Sequence, residues 1–219
     1  MSKTYLFLLL GLVLVVSPNK AGLASDNPAM DADIHKIELQ WEHIKFEEDG
    51  APNQFDDIDA LANQAAALVD KYPGRVEPMI WDGIVTSEEA GMASMIHALG
   101  YAKKARKILE NAYKIDRKAL DAGAPTSLGV LYYRVPGFPI GFGDNAKARE
   151  LLKQAVALAP DGMDANYFYA DFLMSQKEYA AADKVLKHAL SLPSQPDRPL
   201  WDSNRRGVIR QLIARAEAK

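Results

Sequence analysis

The chain contains no cysteine, and that absence excludes disulfides, thiolate nucleophiles, thiolate metal ligands and a lipid carried on an N-terminal cysteine. Histidine is scarce as well: His35, His43, His97 and His188 are scattered, without the paired spacing a metal site needs. No HExxH, GxSxG or phosphate-loop pattern occurs. Gly137, Gly141 and Gly143 follow a helical pattern rather than a strand, so they do not form a dinucleotide loop. Asp56, Asp57 and Asp59 lack the glycine and closing glutamate of a calcium loop and read as a solvated helix start. No catalytic residue, metal ligand or cofactor site emerges, and a non-enzymatic protein is expected. Neither sign of charge dominates: the formal net charge is −3, whereas a nucleic-acid binder is more often basic.

Long apolar runs are absent except at the start. Lys3 precedes an unbroken run from Tyr5 to Val16, followed by Ser17, Pro18, Asn19, Lys20 and then Ala21, Gly22, Leu23 and Ala24. A basic start, a short apolar stretch and small residues before a polar segment make a secretory signal peptide, with cleavage expected after Ala24. The run falls short of the roughly 20 residues of a membrane-spanning helix, although an uncleaved anchor is the alternative. Removal takes Lys3 and Lys20 with it, leaving a more acidic chain with no stable membrane span and a periplasmic or secreted location.

What the sequence does have is a repeat. Ala148, Leu152, Ala155 and Pro160 are answered by Ala182, Leu186, Ala189 and Pro193, the first three at a constant offset and the proline one residue early. Two small residues flanking a larger one at i, i+4, i+7 lie on one helical stripe and let a preceding helix approach closely. Ala105, Leu109 and Ala112 extend the series upstream with a longer spacing, and Ala62, Ala66 and Val69 extend it once more at the same interval. These residues resemble the tetratricopeptide repeat family, and Ala170 sits where that family prefers a small residue. The resemblance implies an all-α solenoid of helical hairpins wound as a right-handed superhelix, ending in a capping helix.

The chain then divides into a signal peptide at 1–24, a flexible start and N-terminal helix at 25–54, a repeat domain at 55–199 and a C-terminal capping helix at 200–219. Within it, the spacing predicts helices from Met30 to Glu48, from Asp56 or Asp57 to Val69, from Val76 towards Glu89, and a long one from Tyr101 to Leu120. Gly91 to Gly100 reads as an inserted enlargement. Further helices are expected from Thr126 to Arg134, from Asn145 with Asp144 as its cap, from Met163 to Ser175, and from Trp201 to Ala218. Arg205, Arg206, Arg210 and Arg215 lie off the apolar side of the last helix, as a solvated face or as a contact for an anionic partner or lipid surface.

The stretch Val135 to Asp144, with two prolines and three glycines, forbids regular helix. It follows directly on Tyr132, Tyr133 and Arg134. An aromatic pair, a guanidinium suited to a carboxylate and the loop residues Phe138 and Phe142 form a candidate groove wall; the alternative is that Phe138, Ile140 and Phe142 fill a gap between hairpins. Tyr167 and Asp171 occupy the groove-facing positions of the next helix. Tetratricopeptide domains that clamp a peptide's terminal carboxylate carry lysine and asparagine at such positions, and the acid at Asp171 argues against that mode.

The loop Pro136 to Asp144 leading into Lys147, Ala148 and Leu152 is similar to the T-components of TRAP transporters, exported helical proteins with repeats of this sort. A comparable glycine-and-aspartate approach to a helix appears in regulators of microtubule dynamics. The T-components are typically lipoproteins, and this chain has no cysteine to carry the lipid. Two functions are expected from these readings. The first is binding of a protein or peptide partner in the cell envelope of a Gram-negative bacterium. The second is a T-component-like role as a transporter accessory that binds a small anionic ligand through Arg134 and the loop aromatics.

Overall fold

The computed structural model describes residues 27–219, so the expected signal peptide lies outside the described residues. Among them are nine helices and no strand: α1 (Pro28–Phe46), α2 (Gln54–Lys71), α3 (Val76–Met92), α4 (Met95–Ile115), α5 (Ala119–Arg134), α6 (Asn145–Leu158), α7 (Met163–Ser175), α8 (Tyr179–Ser191) and α9 (Pro199–Glu217). They pair as successive hairpins, α1 with α2, α3 with α4, α5 with α6 and α7 with α8, with α9 packed on α8. This is the all-α helical-repeat architecture that the alanine pattern predicts.

The hairpins close because the small residues fall where two helices meet. Ala105, Leu109 and Ala112 on α4, Ala148, Leu152 and Ala155 on α6, and Ala182, Leu186 and Ala189 on α8 are all fully buried. The facing helix gives up its side chain at the contact. A Cβ on Gly83 of α3 would stand 2.5 Å from Leu109 Cγ, and one on Gly129 of α5 would stand 2.6 Å from Leu152 Cγ. Ala170 of α7, with no exposure, holds the matching place in the α7–α8 pair. Upstream the register shifts: α2 buries Ile58, Leu61, Ala62 and Ala65, whereas Ala66 and Val69 are only half-buried. The alanine run fits several phases, and the larger Ile58 and Leu61 decide which face turns inward.

Several helix limits differ from the sequence reading. The enlargement at 91–100 is mostly helical, because α3 runs on to Met92 and α4 begins at Met95, ahead of the expected Tyr101. Methionine, alanine and leucine there favour helix, and the exposed glycines cost it only about 1 kcal/mol each. The α4 helix stops at Ile115, short of the predicted Leu120. Leu120, Asp121 and Ala122 are left-handed, with φ of 49°, 50° and 60°, so regular helix in α5 begins only after them and accommodates Pro125 in its first turns. As expected, Asp144 caps α6, its carboxylate accepting from the backbone of Ala146 at 2.8 Å and Lys147 at 3.0 Å.

One buried carboxyl gives the fold a pH response. Glu89 of α3 is 2 % exposed, and its Oε2 has no hydrogen-bond partner among the described residues. Burial pushes its carboxyl up to about 7; Lys104 of α4 draws it down, and Asp59 of α2 pushes it up further. A carboxyl raised in the folded state stabilises below the unfolded range and loses that contribution as pH rises through about 7. Glu89→Gln is therefore expected to raise the melting temperature at about pH 8 and change it little at about pH 5. Calorimetry at the two pH values checks this, and an equal change at both would contradict it.

Candidate functional site

The first helices of the hairpins, α1, α3, α5 and α7, stand side by side, and α9 follows α7 and returns to α1. The return is fixed by one buried acid. Glu42 of α1, 1 % exposed, accepts at Oε1 from Arg198 Nε at 2.5 Å and at Oε2 from the backbone N–H of Trp201 at 3.3 Å. It thereby caps the start of α9 with a charge of the favourable sign. Arg198 Nη1 also lies 3.7 Å from Glu38. The superhelix is thus closed into a ring.

Inside the ring is a cavity of about 1130 Å³. All three tryptophans of the chain line it: Trp41 from α1, Trp81 from α3 and Trp201 from α9. Trp41 and Trp81 pack edge to face with ring centres 6.0 Å apart, and the Arg198 guanidinium lies 5.6 Å from the Trp81 ring and 5.0 Å from the Trp201 ring. Ile80, Ile84, Val130 and Leu131 supply apolar wall, and Arg134, Phe168 and Arg205 complete the side formed by α5, α7 and α9. Arg205 stacks 4.0 Å over the Tyr167 ring and pairs with Asp164 at 2.8 Å.

The seven residues singled out from the sequence fall in three places. Arg134 lines the cavity, and Tyr133 and Asp171 hold it: Arg134 Nη2 donates to Asp171 at 2.9 Å, Arg134 Nε to the Tyr133 hydroxyl at 3.2 Å, and that hydroxyl to Asp171 at 2.5 Å. Tyr133 is anchored edge to face on the buried ring of Phe172, and burial pushes its phenol above the usual range, so it stays a donor. Burial opposes the Arg134 charge, and Tyr133 and Asp171 outweigh it, so the guanidinium remains protonated. Tyr167 is buried behind this wall, packed edge to face on Phe168 with ring centres 4.8 Å apart. Tyr132 and Phe142 pack together at 5.6 Å on another side of α5, with Arg106 of α4 over Phe142 at 4.2 Å. Phe138 stands outside the cavity at the loop tip, 93 % exposed.

Sequence reasoning missed the tryptophan seam and its two arginines, Arg198 and Arg205. A usable signal was present. The three tryptophans fall on three separate predicted helices, and indole is a residue more often buried in part, at a surface or groove, than sealed wholly in a core. The arginines of the last helix also divide. Arg206 donates to Asp202 and to the carbonyls of Leu190, Leu192 and Pro193, closing the end of α8, while Arg210 and Arg215 are exposed. Among the described residues no group of three acids or histidines is placed to hold a metal ion.

Comparison with known proteins bears on the fold. No curated protein matches the sequence. The crystal structure of a thermophilic tetratricopeptide repeat protein from Thermus thermophilus superposes with a TM-score of 0.56 at 16% identity, covering 87% of this chain and 91% of that one. Residues 140–203, which span the end of the loop before α6 and the helices α6, α7 and α8, match the family model described as tetratricopeptide repeat. The protein is therefore similar in fold to tetratricopeptide repeat proteins, with family sequence features concentrated in its C-terminal half.

Proposed function

We propose that this chain is an exported, non-enzymatic helical-repeat protein that binds a segment of a protein partner in the bacterial cell envelope, with the inner wall of the ring as its binding surface. The observation that carries this reading is the make-up of that wall. The largely buried rings of Trp41, Trp81 and Trp201 and the half-buried Phe168 line it together with the ion-paired guanidiniums of Arg134, Arg198 and Arg205. A peptide backbone presents donors and acceptors in equal number, and a wall offering both signs between large flat side chains suits it. The tetratricopeptide-like fold supports the same reading, since such folds serve as protein-interaction modules. Export rests on the N-terminal apolar run.

The experiment is affinity capture from envelope extract with the protein and with a Tyr133→Phe/Arg134→Ala variant, which removes the polar network but keeps the packed ring. The reading expects a protein recovered by the wild type and lost by the variant. Recovery of the same set by both would refute it. A second reading, a T-component-like accessory for a small anionic ligand, is favoured by the closure of the ring into a cavity and by Arg134 Nη1, which has no hydrogen-bond partner among the described residues. In that case the variant loses thermal stabilisation by carboxylate compounds, and no protein is captured.

A further inference from the structure

Among the described residues the four most exposed large apolar side chains lie at one edge of the molecule: Met95 and Phe138 at 93 %, Ile96 at 89 % and Ile140 at 71 %. Met95 and Ile96 form the first turn of α4, and Phe138 and Ile140 the tip of the loop between α5 and α6. The two segments touch: a Cβ on Gly141 would meet Leu99 Cδ1 at 3.4 Å, and Met95 and Ile140 both line the cavity. The tip is rigid rather than slack. Gly143 N–H donates to Pro136 at 2.9 Å, Asp144 N–H to Tyr132 at 2.8 Å and Gly141 N–H to Gly137 at 3.1 Å, and a Cβ on Gly143 would stand 1.9 Å from the Val135 carbonyl.

Behind this apolar edge the charge is positive. The chain is acidic overall, yet α4 carries Lys103, Lys104, Arg106, Lys107 and Lys114 against the single acid Glu110. Lys103 and Lys107 are exposed and share the helical stripe of Ile96, at i+7 and i+11, so they sit about 10 Å and 16 Å back along the helix. Glu88 is paired with Lys45 at 2.5 Å, and Asp144 is engaged in capping α6. Apolar side chains at a tip with lysines a headgroup's depth behind them match the two layers of an anionic lipid surface. Among the described residues no helix is long and apolar enough to cross a membrane, so the contact is peripheral.

We infer that this edge docks on an anionic lipid bilayer, with Met95, Ile96, Phe138 and Ile140 entering the interface and Lys103 and Lys107 meeting the headgroups. The absence of cysteine allows a site-specific test in the full chain. Phe138→Cys carries an environment-sensitive fluorophore, with Gln211→Cys on the exposed side of α9 as the control. With vesicles of phosphatidylcholine and phosphatidylglycerol, the label at 138 is expected to shift to the blue while the label at 211 does not. Because the readout is local, lipid contact by the N-terminal run does not produce it.

Adding Met95→Ser/Ile96→Ser, or Lys103→Glu/Lys107→Glu, is expected to weaken the response about tenfold or more, and pure phosphatidylcholine to give a weak one. No shift at 138, an equal shift at both labels, or a response unaffected by either pair of substitutions would overturn the proposal. So would a blue shift that appears without vesicles and grows with protein concentration, which would mean that a second copy covers the edge.

Discussion

Glu42→Ala is expected to destabilise the protein by about 3–5 kcal/mol, the range for removing one partner of a buried ion pair. Two donors lose their acceptor together, Arg198 Nε and the Trp201 backbone N–H, and with them the start of α9 loses its cap. Among the described residues the Arg198 guanidinium keeps only the carboxylate of Glu38, at 3.7 Å, and its Nη2 is already buried without a hydrogen-bond partner. The seam between α1 and α9 is the one place where helices from opposite ends of the described chain meet, so the loss falls on ring closure more than on any single hairpin. Glu42→Gln keeps one acceptor and the side-chain volume and is expected to cost less. Urea denaturation followed by helical circular dichroism measures the difference. A loss below about 1 kcal/mol for Glu42→Ala would show that the seam does not hold the ring.

Gly129→Leu is expected to cost about 3 kcal/mol or more, at or above the upper end for overpacking. The first added carbon meets Leu152 Cγ at 2.6 Å and Cδ2 at 2.8 Å, and Leu152 is fully buried against Ala148 and Phe172. Replacing glycine in a helix ordinarily stabilises it by up to about 1 kcal/mol, so destabilisation isolates the packing effect. Leu152→Ala alone leaves a cavity and costs about 2–5 kcal/mol. The double variant exchanges the two volumes across the contact and is expected to be more stable than either single variant. Additive losses in this double-mutant cycle would place the two side chains out of contact and contradict the hairpin register.

That register was legible because it depends on a local rule. Ala148, Leu152 and Ala155 repeat as Ala182, Leu186 and Ala189, and a stripe of small residues has one efficient use, the close approach of a neighbouring helix. The start of α6 was legible for the same kind of reason, since Asp144 satisfies two backbone donors within three residues of itself. The cluster of Tyr133, Arg134 and Asp171 could be anticipated in part, because its members sit at repeat-defined positions on consecutive first helices. Ring closure could not. The pairing of Glu42 with Arg198 spans 156 residues of sequence, and it depends on the pitch accumulated over four hairpins, each a few degrees of packing angle that no local pattern encodes. For that reason the tryptophans of α1, α3 and α9, remote in sequence, could each be singled out but not placed together in one cavity.

The arrangement also offers the most direct test of the ring as a binding surface. Every tryptophan of the chain lines the cavity, so the intrinsic tryptophan emission of this protein originates at the proposed site. The measurement is that emission during titration with the protein recovered by capture, with binding followed in parallel by calorimetry; a partner segment free of tryptophan keeps the signal unambiguous. The account predicts that emission shifts in step with the heat of binding and that both are lost in the Tyr133→Phe/Arg134→Ala variant. Saturable heat with unchanged tryptophan emission would place the partner elsewhere on the molecule and contradict the assignment of the ring interior as its binding surface.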